Sequence, residues 1–118
     1  MTGLSILRQV YCLMDRPDGL ATDDGNNSGL PLLNQIYRDL WKREHTEAFV
    51  PLSHTRQEVD LSWRSLSALT YGTAALLSLA EGNEAAYDRF LERYTASLPR
   101  VQGAPYRRAD VWPREDAV

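Results

Sequence analysis

The stretch from residue 68 to residue 80, ALTYGTAALLSLA, decides the fold because it predicts a helix without a charged face. At about 100° per residue its bulky side chains form one stripe, and mostly small residues form a second. The small stripe consists of Ala68, Gly72, Ala75 and Leu79. A surface helix shows a charged side, whereas a helix that shows none is buried all round. We therefore expect a central helix that is covered by other helices or by other copies of the chain.

The charge-free run between Arg64 and Glu81 is too short and too polar for a membrane span. It holds 16 residues, of which five are Ser or Thr and one is Gly. Spanning a bilayer requires about 20 predominantly apolar residues. The N-terminus also lacks the basic start and the cleavage site of a signal peptide. We expect a soluble protein that makes no membrane contact and is not secreted by the general route.

The composition predicts one small domain whose main role is not nucleic-acid binding. The 118 residues carry a net charge of −3, with a pI of about 5.3. Lys42 is the only lysine among 13 basic residues. Two explanations of this preference for arginine stay open: arginine pairs well with carboxylates at interfaces, and a GC-rich genome favours arginine codons. The single Cys12 excludes an internal disulfide and a cysteine-based zinc site, and we expect it to be a small core residue.

Two amphipathic helices are predicted before the central one. The first begins at Thr2 or Ser5, either of which can cap it, and ends near Met14. The second follows an N-cap at Ser28 and ends near His45. Its apolar face consists of Leu30, Leu33, Ile36, Tyr37, Leu40 and Trp41.

The central helix and the last helix are predicted to be antiparallel neighbours. Ser62 can cap the central helix, and Gly82 suits the left-handed position after its last turn. Asn83 then caps the last helix at once, and so short a connection joins antiparallel helices. Pro99 is expected to end the last helix. The expected core, beside the second helix, is Trp63, Leu66, Leu69, Leu76, Leu77, Phe90 and Tyr94.

Two irregular segments separate the first three helices. The first, DRPDGLATDDGNNSG, is a long acidic loop whose pattern does not fit calcium, because Pro31 stands where the calcium loop needs Glu. The second contains two β-prone pieces, residues 48–52 and 58–61, which form a small hairpin or lie flat as an irregular arm. The predicted fold class is all-α: a small four-helix bundle with an acidic loop, a β-prone arm and an extended C-terminal tail.

The chain divides into a helical body, residues 1–98, and a docking tail, residues 99–118. The tail lacks helical periodicity, yet its Tyr106, Val111 and Trp112 are costly to leave in water. Arginines and aromatic residues on an arm also suit single-stranded nucleic acid. The acidic residues of the tail cancel most of its positive charge, which favours a protein partner. The acidic residues are Asp110, Glu115 and Asp116.

The sequence contains no pattern that indicates catalysis. His45 and His54 lack a carboxylate partner at ligand spacing, and HxxxH, ExxH and CxxC motifs are absent. A glycine-rich phosphate loop is absent as well. We therefore expect a protein that is not an enzyme and uses no metal or cofactor.

The segments LLNQIYRDLW, VPLS, VDLS and LTYGTAALLSLAEGNEAAYDRFLERYTA resemble small structural proteins of tailed phages and prophages. In those proteins an Asn-Gln-Ile-Tyr-x-Asp-Leu helix precedes a Tyr-Gly-x-Ala helix and a Gly-Asp or Gly-Asn turn. The resemblance covers roughly residues 30–98, and leaves out the first helix, the acidic loop and the tail.

This resemblance implies a head-to-tail adaptor, or connector, of the phage neck. Such proteins form a ring, commonly dodecameric, beneath the portal protein, and their tails dock on the portal. The ring extends the DNA channel and carries the stopper or tail protein, so the chain would belong to the virion after assembly in the host cytoplasm. DNA would pass without specific binding, since like charge keeps it from adhering to an acidic wall.

The resemblance also implies roles for particular residues. The tail would be anchored in the portal or a neighbouring subunit by Arg100, Tyr106, Arg107, Arg108, Val111 and Trp112. Asp23 and Asp24 of the acidic loop are the candidates for the channel wall. Two alternatives stay open: another neck or tail-completion protein, such as a stopper, or a small nucleic-acid-binding packaging protein.

Overall fold

Four α-helices make up the fold in the computed structural model, which describes residues 1–15 and 29–102, with side chains through residue 98. They are α1 (Gly3–Leu13), α2 (Gly29–Glu44), α3 (Trp63–Ala80) and α4 (Glu84–Gln102). These ranges hold no β-strand and a single isolated bridge. The all-α prediction is confirmed. Most of the predicted acidic loop, and the predicted tail beyond residue 102, lie outside the described residues.

Local capping explains where three of the helices begin. At α1, α3 and α4 a side-chain oxygen accepts a hydrogen bond from the amide three residues on, at 3.1, 3.4 and 3.1 Å. The capping residues are Thr2, Ser62 and Asn83. Gly82 follows α3 with a φ of +80°, so the glycine occupies the left-handed position that the sequence predicts. The predicted cap Ser28 lies outside the described residues.

The prediction that Pro99 ends the last helix is wrong, because α4 continues to Gln102. Proline removes one helical hydrogen bond, but its fixed φ is that of a helix, so a helix that has already formed can continue through it. The helix therefore crosses the boundary that the sequence suggested between body and tail.

Helix α3 is the centre of the bundle, since α1, α2 and α4 all pack against it. Ten of its 18 residues are buried. The hydroxyls of Thr70 and Thr73 donate to the carbonyls of the preceding turn at 3.0 and 2.8 Å. Buried polar residues of α3 thus find partners within their own helix, while the buried hydroxyl of Ser78 has none among the described residues. The predicted central helix is confirmed.

The closest approach of three helices occurs at Gly72. A Cβ atom there would lie 2.8 Å from Cγ2 of Ile36 and 3.0 Å from Cδ1 of Tyr94. Because Ile36 belongs to α2 and Tyr94 to α4, the missing side chain lets both helices pack against one turn of α3. Close packing of this kind leaves little room for adjustment.

The predicted core is right for most of its members and wrong for Trp63. Leu69, Leu77 and Phe90 are buried, and Leu66, Leu76 and Tyr94 are partly buried against them. Trp63 is 74% exposed, because it is the first residue of α3 and lies at the bundle's end.

The segment between α2 and α3, residues 46–61, is an irregular arm rather than a hairpin. Asn34 of α2 fixes it at two points, since its side chain donates to the Leu52 carbonyl at 3.0 Å and accepts from the Leu52 amide at 2.9 Å. The Asp60 amide donates to the Tyr37 hydroxyl at 3.0 Å. The β-prone pieces therefore pair with other elements and not with each other.

The arm also satisfies the N-terminus of α1. The amides of Gly3 and Leu4 donate to carbonyls of Gln57 and Thr55, at 3.0 and 2.7 Å. The first amides of a helix have no partner within it, so the arm supplies the acceptors that α1 lacks. The Val59 amide completes the contact by donating to the Met1 carbonyl at 2.8 Å.

Aromatic side chains hold the first half of the arm on α2. The Phe49 ring lies edge-on to the Tyr37 ring, with centroids 5.1 Å apart. The Trp41 ring stacks on His45 at 3.7 Å, and its indole nitrogen donates to the Glu47 carbonyl at 2.8 Å. Such pairs add about 0.5–1.5 kcal/mol beyond the area that they bury.

No helix in the described ranges is both long enough and apolar enough to cross a membrane.

The Gly72→Ala substitution is expected to destabilise the bundle. The new methyl group meets the stiff, branched side chain of Ile36 and a ring atom of Tyr94, neither of which is a flexible end. Overpacking costs about 1–3 kcal/mol, which exceeds the roughly 1 kcal/mol gained from helix propensity. Urea unfolding should show a net loss of about 1 kcal/mol. The control Ser67→Ala, at an exposed position, should not lose stability. A Gly72→Ala variant with an unchanged free energy of unfolding would contradict the packing argument.

The Asn34→Asp substitution is expected to loosen the arm. A carboxylate can still accept from the Leu52 amide, but it cannot donate to the Leu52 carbonyl. We expect a loss of about 1 kcal/mol in local stability and faster amide exchange at residues 48–52. Exchange in the middle of α3 should change less. Equal acceleration in both places would show that Asn34 acts on the whole fold.

Candidate interaction surface

One side of α3 remains open between α1 and α4. Trp63, Ser67 and Tyr71 follow each other at intervals of four residues, so they lie on one face of the helix. Helices α1 and α4 each pack on α3 but make little contact with each other. The three side chains therefore follow a groove, which we call the α3 groove.

One part of the α3 groove lies between α1 and α3 and has a volume of about 420 Å³. Its surface is largely apolar, and its lining consists of Arg8, Gln9, Cys12, Leu13, Ser67, Thr70 and Tyr71. The Thr70 hydroxyl donates to the Leu66 carbonyl at 3.0 Å and lies 3.4 Å from the Gln9 side-chain oxygen. That hydroxyl already has protein partners, so the groove is suited to apolar groups.

Cys12 lies on the wall of this groove and is exposed, so its prediction as a core residue is wrong. The buried stripe of α1 ends at Tyr11. The next residue is turned by about 100° around the helix axis, which brings it to the edge of the packed face.

A smaller hollow of about 100 Å³ continues the groove towards α4. It is lined by Leu13, Tyr71, Arg89, Phe90 and Arg93. The guanidinium groups of three arginines lie over aromatic rings of the groove at 5.2–5.8 Å from the ring centres. The pairs are Arg64 with Trp63, Arg89 with Phe90, and Arg93 with Tyr71.

The rim of the groove is positively charged. Arg8 lies on the α1 side, while Arg64, Arg89 and Arg93 belong to α3 and α4. Within residues 1–15 and 29–98 none of these four arginines forms an ion pair. An apolar floor with tryptophan, tyrosine and arginine at its edges has the composition of protein–protein contact sites.

A second polar cluster joins the end of α2 to the start of α3. Glu44 accepts hydrogen bonds from the Ser62 amide at 3.0 Å and the Ser62 hydroxyl at 2.7 Å, and also from the Ser65 hydroxyl. Desolvation by burial tends to raise the pKa of Glu44, but the hydrogen bonds from Ser65 and Ser62, together with His45, outweigh it and lower the pKa. The cluster caps α3 and holds two helices together.

The cluster contains no arrangement that would activate a nucleophile. His45 contacts the Asp60 carbonyl at 2.9 Å and lies 3.7 and 3.8 Å from carboxylate oxygens of Glu47 and Asp60. These carboxylates belong to the arm, so no helical spacing pairs them with the histidine. The described part of the chain contains no group of three or more side chains that could hold a metal ion.

The residues that the sequence suggested for docking and for the channel wall lie outside the described residues. They are Asp23, Asp24, Tyr106, Arg107, Arg108, Val111 and Trp112. The backbone of Arg100 belongs to α4, and its side chain is not described. The α3 groove was not predicted from the sequence.

Comparison with known proteins gave no match, since neither a protein family, nor a curated protein, nor a solved structure is similar to this chain.

The Glu44→Gln substitution is expected to destabilise the protein in a pH-dependent way. Because folding lowers the pKa of Glu44, its ionised form stabilises the fold above the ordinary value of 4.5, and this contribution is lost as the pH falls through the lowered value. Solvent screens the carboxylate, so we expect a loss of about 1 kcal/mol at neutral pH. Chemical unfolding should show this difference shrinking between neutral pH and a pH below the lowered pKa. Glu92→Gln, at an exposed position of α4, is the control. If Glu44→Gln lost equal stability at both pH values, the ionised form of Glu44 would not be the cause.

Proposed function

We propose that the chain is a structural subunit of a phage neck ring, which docks under the portal, extends the DNA channel and joins the head to the tail. The sequence pattern that resembles phage neck proteins supports this proposal, because its residues act together in the bundle. Asn34 fixes the arm, Ile36 meets Gly72, and Tyr37 binds the arm near α3. The residues of the pattern therefore belong to one packing unit and are not scattered over the fold.

The α3 groove is the observation that carries the proposal. The groove combines an exposed tryptophan, a tyrosine and arginines, which are the residue types that protein contact sites favour. Trp63 is 74% exposed at one end of the groove. We infer a role in assembly rather than catalysis, and propose no cofactor.

In this proposal the partners are the portal, neighbouring copies in a ring, which the resemblance implies to be dodecameric, and a stopper or tail protein. The chain would act in the virion neck after assembly in the host cytoplasm, and DNA would pass without specific binding. The tail residues beyond α4 would dock on the portal, and Asp23 and Asp24 would face the channel. A stopper is a weaker proposal, because stoppers tend to be richer in β-structure than the described residues.

The four arginines on the rim favour nucleic-acid binding as the second candidate. Contacts from arginine to phosphate weaken steeply as salt is added. Binding of duplex DNA at low salt that disappears at higher salt would support this candidate. An absence of binding at low salt would eliminate it.

The portal of the same phage provides the direct test of the adaptor proposal. Mixed with the full chain and viewed by negative-stain microscopy, portals should carry an extra ring of density at their narrow end. A chain without residues 103–118 keeps all of α4 and should remain helical by circular dichroism, yet lose this density. Bare portals beside folded full-length protein would contradict the adaptor proposal. If the shortened chain docked equally well, only the proposed role of the tail would be contradicted.

A further inference from the structure

We propose that neighbouring copies of this chain join head to tail, with the arm of one copy docked in the α3 groove of the next. This inference rests on the proposed function as a ring subunit and names the two surfaces that would form the ring. It is carried by chemical complementarity between two faces of the same molecule.

The arm presents an apolar tip on a fixed backbone. Val50 is 73% exposed, although the residues beside it are held in place. Phe49 packs on Tyr37, and both polar groups of the Leu52 backbone bind the Asn34 side chain. Because the arm is already ordered, Val50 can enter a partner's groove at a small cost in conformational entropy.

The arm is also acidic where it is exposed. The carboxylates of Glu47, Glu58 and Asp60 are 73%, 75% and 75% exposed. Glu58 pairs with the Met1 ammonium at 3.2 Å, while Glu47 and Asp60 lie 3.7 and 3.8 Å from the His45 ring nitrogens. Arg56 is the only arginine or lysine of residues 46–61, so negative charge predominates. The α3 groove has the opposite character, with an apolar floor and four arginines at its rim. An acidic segment with an apolar tip is therefore complementary to the groove in both charge and polarity.

The two surfaces are formed by different elements of the chain. Helix α2, which carries the arm, contacts α1, α3 and α4, whereas the groove lies in the gap between α1 and α4. A contact between two different surfaces leaves one of each unused on every dimer, so further copies can add. Such contacts form a closed ring when the rotation between copies allows it. A contact of the groove with itself would stop at a dimer.

The lone cysteine allows a direct test, because Cys12 lies exposed on the groove wall. The natural chain, with its thiol in the groove, is mixed with a tagged Cys12→Ser/Val50→Cys chain, whose thiol is on the arm. Mild oxidation with copper phenanthroline, with and without the portal, is followed by non-reducing electrophoresis. The mixed disulfide should exceed either homodimer on the order of tenfold, because docking raises the effective concentration of these two thiols.

Two controls separate docking from random collision. A Cys12→Ser/Ala85→Cys chain carries its thiol on the exposed first turn of α4, outside the arm, and should give no preference for the mixed product. Arg89→Glu/Arg93→Glu in the chain that retains Cys12 should reduce the mixed disulfide on the order of tenfold by opposing the acidic arm. Both arginines are exposed, so these variants should fold, which circular dichroism verifies.

The outcomes separate this inference from the proposed function. Predominance of the Cys12–Cys12 homodimer would show groove against groove and overturn the inference, as would equal yields from the Val50 and Ala85 thiols. A ring on the portal without a preference for the mixed disulfide would overturn the inference but keep the adaptor function. A predominant mixed disulfide on a chain that does not bind the portal would support the contact and refute the adaptor function.

Discussion

The close approach of three helices at Gly72 is the constraint on which the rest of this structure depends. Because Gly72 has no side chain, atoms of Ile36 and Tyr94 lie where they would collide with a Cβ atom at this position. Their contact sets α2 and α4 against the same helix and leaves α1 to cover another side. The remaining gap between α1 and α4 is the α3 groove. The packing at this glycine thereby brings α2 and α4 onto one turn of the central helix.

The arm depends on α2 being held in this place. It has no regular ladder of its own, so its backbone groups bind an amide side chain, a phenol and the first turn of α1. The contact with the arm also stabilises α1, since the first amides of a helix need acceptors from outside it. An irregular segment fixed in this way can expose Val50 without becoming flexible. A rigid, exposed apolar residue is a feature of a surface prepared for binding.

The sequence predicted those features that depend on neighbours in the chain. Caps at Ser62 and Asn83, the glycine turn and the buried central helix follow from local hydrogen bonding and helical periodicity. Trp63 and Cys12 were misplaced, because burial at the edge of a stripe depends on which helix lies beside it. The groove itself results from a contact that α1 and α4 do not make, and no local pattern reports such a gap. The tail and loop residues assigned from the resemblance remain predictions.

The arginines over the groove explain how a bundle can leave part of its central helix uncovered. Guanidinium groups over Trp63, Phe90 and Tyr71 cover apolar ring faces while keeping their charge in water. Each such contact contributes only about 0.5–1 kcal/mol at an exposed site, so it can be exchanged for a stronger one. A carboxylate from a docking segment attracts the arginine and at the same time frees the ring for an apolar side chain. The same side chains thus shield the groove in the single chain and would pair with an acidic partner once it arrives.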